Sequence, residues 1–188
     1  MILSILTPGV PKRMLQIAEL CEMFEEQIGG RPVEHLVLID NKRRTVGEKR
    51  DSLLRAAKGR YVTFCDDDDV PTADYVSELL AAMGSDPDVI TFRQRVTYNG
   101  QSGEVEFKLG HPNEAFQPGG ITKRNAWHVC VWRRKLAIMS GFPASNYGED
   151  WQFAAPLCAI PNLREVHIPK ILHHYIHNAT TTEAPPPG

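Results

Sequence analysis

At 188 residues, 42% apolar and 23% charged, the chain has the size and balance of one globular domain with a full core. A formal net charge of -2 leaves no overall field to draw it to nucleic acid or an anionic membrane, so only a local patch could serve such a partner. Cys21, Cys65, Cys130 and Cys158 are scattered without a CxxC pair, which argues against a zinc knuckle or a disulfide frame and suits a reducing compartment.

The opening MILSILTPGVP has no basic leader, and no later stretch reaches the ~18 apolar residues of a membrane span, so a soluble, cytoplasmic protein is expected. ILSIL (2–6) reads as a buried strand closed by Thr7-Pro8-Gly9, and 12–28 carries apolar residues at helical spacing. The alternation returns with HLVLID (35–40) before a helix near 47–57, and with RYVTFCD (60–66) before a helix near 72–83. DVITF (88–92) supplies a fourth strand. Apolar strands separated by amphipathic helices predict an α/β fold with a mostly parallel sheet covered on both faces. Ligands of such sheets sit beyond the strand C-terminal ends, where Thr7-Pro8, Asp40-Asn41 and Asp66 to Asp69 would meet in one crevice.

The second half changes character. YNGQSGE (98–104) predicts a hairpin turn, 111–120 an irregular loop, and VCVW (129–132) a strand. GEDWQFAAPLCA (148–159) reads as a helix with acids in its first turn, EVHIP and ILHHYIH as strands, and the last residues as a frayed tail.

Four consecutive aspartates after an apolar strand repel one another, and a divalent cation or strong donors would relieve them; a solvated turn in which Asp69 or Thr72 caps the next helix is the competing reading. Imidazoles at His173, His174 and His177 are plausible metal ligands, with His173, Tyr175 and His177 on one face of a strand and His174 on the other. Trp127, Trp132 and Trp151, with Arg133 and Arg134, could contact an acceptor by stacking and ion pairing, or could be core and surface residues.

YVTFCDDDDVPTADYVSEL resembles the DxD segment of glycosyltransferase family 2, and other pieces follow in that family's order: ILSILTP, HLVLIDN, VGEKRDSLLRAAKGRYV, CVWRRKLAIMSGFP with YGEDWQF, and HHYIHNATT. The resemblance covers about residues 2 to 180 and rests on ordered spacing rather than on one motif. It implies a GT-A fold with a small acceptor-side β hairpin, in one catalytic domain over 1–180. Residues 1–98 would bind the donor, 99–180 would hold acceptor and catalytic groups, and 181–188 would form a flexible tail.

Carried over residue by residue, Thr7, Pro8, Asp40, Lys49, Arg50, Asp66 and Asp67 would line the nucleotide-sugar donor. Asp66 would take the ribose, and Asp40 the base, which favours uridine because its ring N–H needs an acceptor. Asp68 and His177 would hold Mn²⁺ or Mg²⁺, Asp150 would be the base, and Glu149 would orient the acceptor. Trp127, Trp132, Arg133 and Trp151 fall on the acceptor side. Asp51 stands where the family has Asn, and Tyr175 where it has Arg.

The expectation is an inverting, metal-dependent transfer of a sugar from a nucleotide-diphosphate donor, a UDP-sugar by preference, to a hydroxyl of a glycan, a protein or a modified DNA base. A nucleotidyltransferase using the same acids, or a binding module without turnover, are the competing classes.

Overall fold

Leu3–Gly9 (β1) is buried along its whole length, between Val33–Ile39 (β2) and Tyr61–Phe64 (β3), both parallel to it. The protein's structure, a computed structural model described over residues 1–177, builds outward from these three strands into one nine-stranded sheet. The strand expected to close at Leu6 runs on through Thr7-Pro8-Gly9, paired with Val37, Leu38 and Ile39. Pro8 is tolerated because its N side faces β3, as does the Leu6 carbonyl that accepts from Cys65, and β3 pairing has ended at Leu6 with Phe64. A proline at such an unpaired edge gives up no ladder hydrogen bond.

Helices cover both faces. Met14–Ile28 (α1) buries Ile17, Leu20 and Phe24 and stops at Gly29, whose left-handed φ of 45° suits glycine. Val46–Ala56 (α2) starts on a capping box between Thr45 and Glu48. Its buried face takes Leu53 and Leu54 but also Lys49 and Arg50, so its first turns serve something other than the core. After the two-residue β4 (Val70–Pro71), Tyr75–Ala82 (α3) packs with α1 over Leu3, Ile5 and Phe92.

The expected hairpin forms between Val89–Tyr98 (β5) and Gln101–Phe107 (β6), with φ positive at both Asn99 (50°) and Gly100 (77°), the backbone of a type I′ turn. Ile121–Arg124 (β7) pairs with β6, and Val131–Arg133 (β8) joins β3 to β5 by antiparallel pairing. Path order is therefore β2-β1-β3-β8-β5-β6-β7.

Arg134–Ser140 (α4) and Glu149–Cys158 (α5) lie over the α2 face. Phe153 of α5 stacks on Phe142 at 4.2 Å and meets Phe64 edge-on, contacts worth about 0.5–1.5 kcal/mol each beyond burial. They fix α5 one turn below its acidic start.

Glu165–His177 (β9) is one strand where the sequence suggests two. Its parallel pairing with β5 shifts register around Arg93, and that irregularity falls at Pro169-Lys170, between the two expected strands. β9 also pairs with β4, Val70 opposite His174 and Pro71 opposite His173. The expected tail at 181–188 lies outside the described residues. Among those described, all four cysteines are free and no helix is long and apolar enough to cross a membrane.

Candidate active site

The chain leaves β3 at Cys65 and turns through the four aspartates into β4. Asp66 N–H donates to Asp69 Oδ2 at 3.0 Å and Asp69 N–H to the Asp66 carbonyl at 3.1 Å, which closes the turn. The four carboxylates then diverge. Asp66 accepts two bonds from Arg50 Nη2, at 3.0 and 2.8 Å; Asp67 accepts from Val10 N–H and from Arg13. Asp68 pairs with Arg13 at 2.9 Å, and Asp69 lies 3.0 Å from His173 Nε2. Arg50, Arg13 and His173 are the strong donors that the repulsion calls for, and the sequence does not say which residues supply them.

The environments differ accordingly. Burial would raise the Asp66 carboxyl, but Arg50, joined by His128 and His173, holds the group below its ordinary value. Asp68 is pushed up to about 7 by burial and by Asp69 and Asp66. Burial alone would lower the His173 imidazole, and the Asp69 carboxylate turns that into a rise. Cys65 Sγ, an Asp69 oxygen and a His173 nitrogen all lie within 4.8 Å of one another, and Asp69 Oδ1 is buried without a hydrogen-bond partner. A set with spare carboxylate oxygen, a raised carboxyl and an imidazole fits a divalent cation.

α5 opens from Gly148, at φ 72°, and carries Glu149 and Asp150 in its first turn. Glu149 is 6% exposed and accepts from Arg50 Nη1 at 2.5 Å, so one guanidinium clamps Asp66 and Glu149 together. Burial raises the Glu149 carboxyl despite that partner. Asp150 accepts from Trp127 Nε1 at 3.2 Å and from Trp151 N–H at 2.7 Å.

At the end of β2, Asp40 accepts from Lys42 and Arg44 N–H, and Lys49 Nζ stands 3.5 Å from it while donating to the Gly9 carbonyl at 3.0 Å. Thr7 is fully buried, its hydroxyl donating to the Cys65 carbonyl and lying 2.9 Å from His35 Nε2, and Pro8 is buried beside it. Asp51, in the family's Asn position, faces away from the aspartates, bonded to Arg55 and 3.4 Å from Phe142 N.

A cavity of about 540 Å³ is lined by Asp66 and Asp69 from the turn after β3 and by Glu149 and Asp150 from α5. Arg50, Gln94, Arg124, Trp127 and His128 share its lining with these acids, and Val96, Tyr98, Val105, Phe107, Phe116 and Tyr175 supply its apolar part. Trp151, 49% exposed, tilts over Trp127 at 5.8 Å beside a smaller hollow of about 230 Å³. His177 lies at the open end of β9, stacked on Tyr98 at 4.3 Å and 3.4 Å from the Tyr175 hydroxyl, roughly 13 Å along the strand from His173.

Two expected acceptor contacts lie elsewhere. Trp132 is 1% exposed, with its Nε1 donating to the Trp127 carbonyl, and is core. Arg133 is held by Asp86, Asp88 and the Pro87 carbonyl beside Tyr61, at the start of β3. Arg134 donates to the Gly59 carbonyl. Sequence reasoning passed over Arg13 and His128. The Lys12-Arg13 pair at the start of α1, where the helix dipole disfavours cations, was the available sign of an outside partner; His128 gave none.

The profile of glycosyl transferase family 2 matches residues 18–138, and the chain belongs to that family. No curated protein sequence matches it. Among solved structures it is similar to TarS of S. aureus, at TM-score 0.62 and 15% identity over 94% of this chain and 37% of that one. TarS 1-349 in complex with UDP-GlcNAc matches at 0.62 and 14%, over 97% and 60%. Mannosyltransferase PcManGT from Pyrobaculum calidifontis, in complex with GDP-Man and Mn²⁺, matches at 0.60 and 15%, over 96% and 58%. The chain therefore spans between a third and two thirds of these structures, and its fold is the GT-A fold they share.

Proposed function

We propose that the chain is an inverting glycosyltransferase that uses a divalent cation to move a sugar from a nucleotide-diphosphate donor to an acceptor hydroxyl. One observation carries the reading: a single cavity joins the aspartates at the end of β3 to the acids at the start of α5.

Asp40 and Lys49, beside Gly9, form the nucleotide end, and Asp40 suits the ring N–H of uridine. Asp66 accepts from the ribose while Arg50 holds it charged. Asp68 and Asp69 hold the cation, with an imidazole from β9; His173 is the one set against Asp69, and His177 the one to which the resemblance points. When bound, the cation neutralises charge building on the leaving diphosphate. Asp150 Oδ takes the proton of the acceptor hydroxyl as that oxygen bonds to the anomeric carbon and the bond to the diphosphate breaks, which inverts the centre. Trp127 Nε1 steadies the carboxylate for that task. Glu149, locked by Arg50, orients the acceptor from behind. Residues up to 98 form the donor half, and the acceptor enters over the hairpin that follows.

The test is a panel of UDP- and GDP-sugars incubated with Mn²⁺ or Mg²⁺. A nucleoside diphosphate should be released, and EDTA should stop it. Pyrophosphate release would mark a nucleotidyltransferase, and binding without turnover a module. Asp150→Asn should abolish release while leaving donor affinity within about twofold.

A further inference from the structure

Two buried polar side chains in the cavity, Gln94 and His128, have no task in that scheme, and of these Gln94 is bonded to His173. His128 is 7% exposed, lies ahead of β8, and lines the cavity together with Asp66 and Asp150, both near enough to act on its ring electrostatically. Phe64 backs its ring, with centroids 6.3 Å apart. Neither Nδ1 nor Nε2 has a hydrogen-bond partner, and both are buried. A buried ring with both nitrogens unmatched is costly to keep, and the cost disappears when a ligand supplies the missing partner.

The chemistry of that ligand follows from the surroundings. Burial and the Arg50 guanidinium push the imidazole down to about 4, so at neutral pH it offers one N–H donor and one lone pair. A neutral ring is a poor match for a phosphate, which Arg and Lys serve better, and a good match for a hydroxyl, which both donates and accepts. In the same cavity Asp66 belongs to the donor end and Asp150 is the base. The group that must lie between them is the ring of the sugar in transit.

We infer that His128 is a specificity-determining residue whose ring nitrogen binds a hydroxyl of the transferred sugar. The inference rests on the cavity being the sugar-transfer site. Discrimination of this kind is strong, because a donor lacking the hydroxyl leaves the buried ring unpaired again.

The experiment is a cycle of variants against donors. UDP-glucose, UDP-GlcNAc and GDP-mannose identify the working donor with Mn²⁺, and its deoxy analogues at each hydroxyl are then compared by kcat/KM in the wild type, His128→Phe and His128→Ala. The wild type should lose about 10- to 100-fold on one deoxy analogue. Both variants should lose a similar factor on the parent donor, lose nothing more on that analogue, and bind UDP or GDP within about twofold of the wild type by calorimetry. His128→Ala covers the case in which the larger ring disturbs the fold. The inference is overturned if either variant still discriminates against every analogue as the wild type does, or if nucleoside diphosphate binding falls in step with transfer. A wild type that processes none of the donors removes the sugar-transfer reading itself, and this inference with it.

Discussion

Replacing Arg50 by methionine removes the one cation shared by Asp66 and Glu149, at 2.8 and 2.5 Å, and leaves both carboxylates in place. The side chains of Arg50 and Glu149 are 5% and 7% exposed, so water cannot take over, and stripping one partner from a buried pair costs about 3–5 kcal/mol. Arg50→Lys keeps the charge but cannot span both acids with a single ammonium, and losing one charge-assisted bond costs about 1.5–3 kcal/mol. Urea unfolding followed by tryptophan fluorescence reads both. At a slope of about 2 kcal/mol per molar, the methionine variant should unfold about 2 M earlier at neutral pH. The deficit should shrink toward pH 5. Without Arg50 the folded carboxyls titrate above their unfolded values, so protonation favours the folded state as pH falls through them. A methionine variant within 1 kcal/mol of the wild type at neutral pH, or one whose deficit grows with acid, would refute the clamp.

Asp68→Asn should cut Mn²⁺-dependent UDP binding at least tenfold, and His173→Ala should weaken it while His177→Ala does not; calorimetry giving the reverse order would move the cation to the open end of β9. His35, packed on Phe24 at 4.7 Å, is lowered to about 4 by burial. The unfolded chain takes that proton near pH 6.5 and the folded one does not, so stability falls as pH drops through this window. The loss by pH 5 is about 2 kcal/mol. His35→Gln should lack that component, and equal acid sensitivity in the two proteins would rule it out. A Cβ at Gly47 would stand 1.9 Å from the Pro143 carbonyl, in the segment leading to α5. Gly47→Ala should therefore lower the melting temperature and the activity, the overpacking cost of about 1–3 kcal/mol exceeding the helical gain of alanine; a stabilised variant would show the segment to be loose.

The parallel strands and their helices were legible because each is a near-continuous apolar run or an amphipathic face, a pattern local to its own residues. So were the acids at the ends of β3 and α5. What the sequence hid depends on distant pairing. His173 reaches Asp69 only because two-residue β4 lays itself on β9, and no periodicity announces a strand of that length. Arg50 reads as a nucleotide-facing base until α5, 99 positions later, brings Glu149 to it. Trp132 and Arg133 were placed with the acceptor because β8 is three residues long, too short for alternation to tell inside from outside. Thr7-Pro8-Gly9 looked like a loop because proline and glycine usually end strands, and here the proline meets an edge.

β9 has a consequence for how the chain is made. It is the last described strand to leave the ribosome, yet it lies along the full length of β5, whose Gln94 waits 79 residues for His173. Until then β5 presents an open backbone edge, the kind that pairs with other chains, and Asp69 lacks the imidazole set against it. Partners so far apart in sequence favour slow folding. Synthesis of this protein should therefore pass through a long interval in which most of the sheet exists, the site does not, and a chaperone has something to hold.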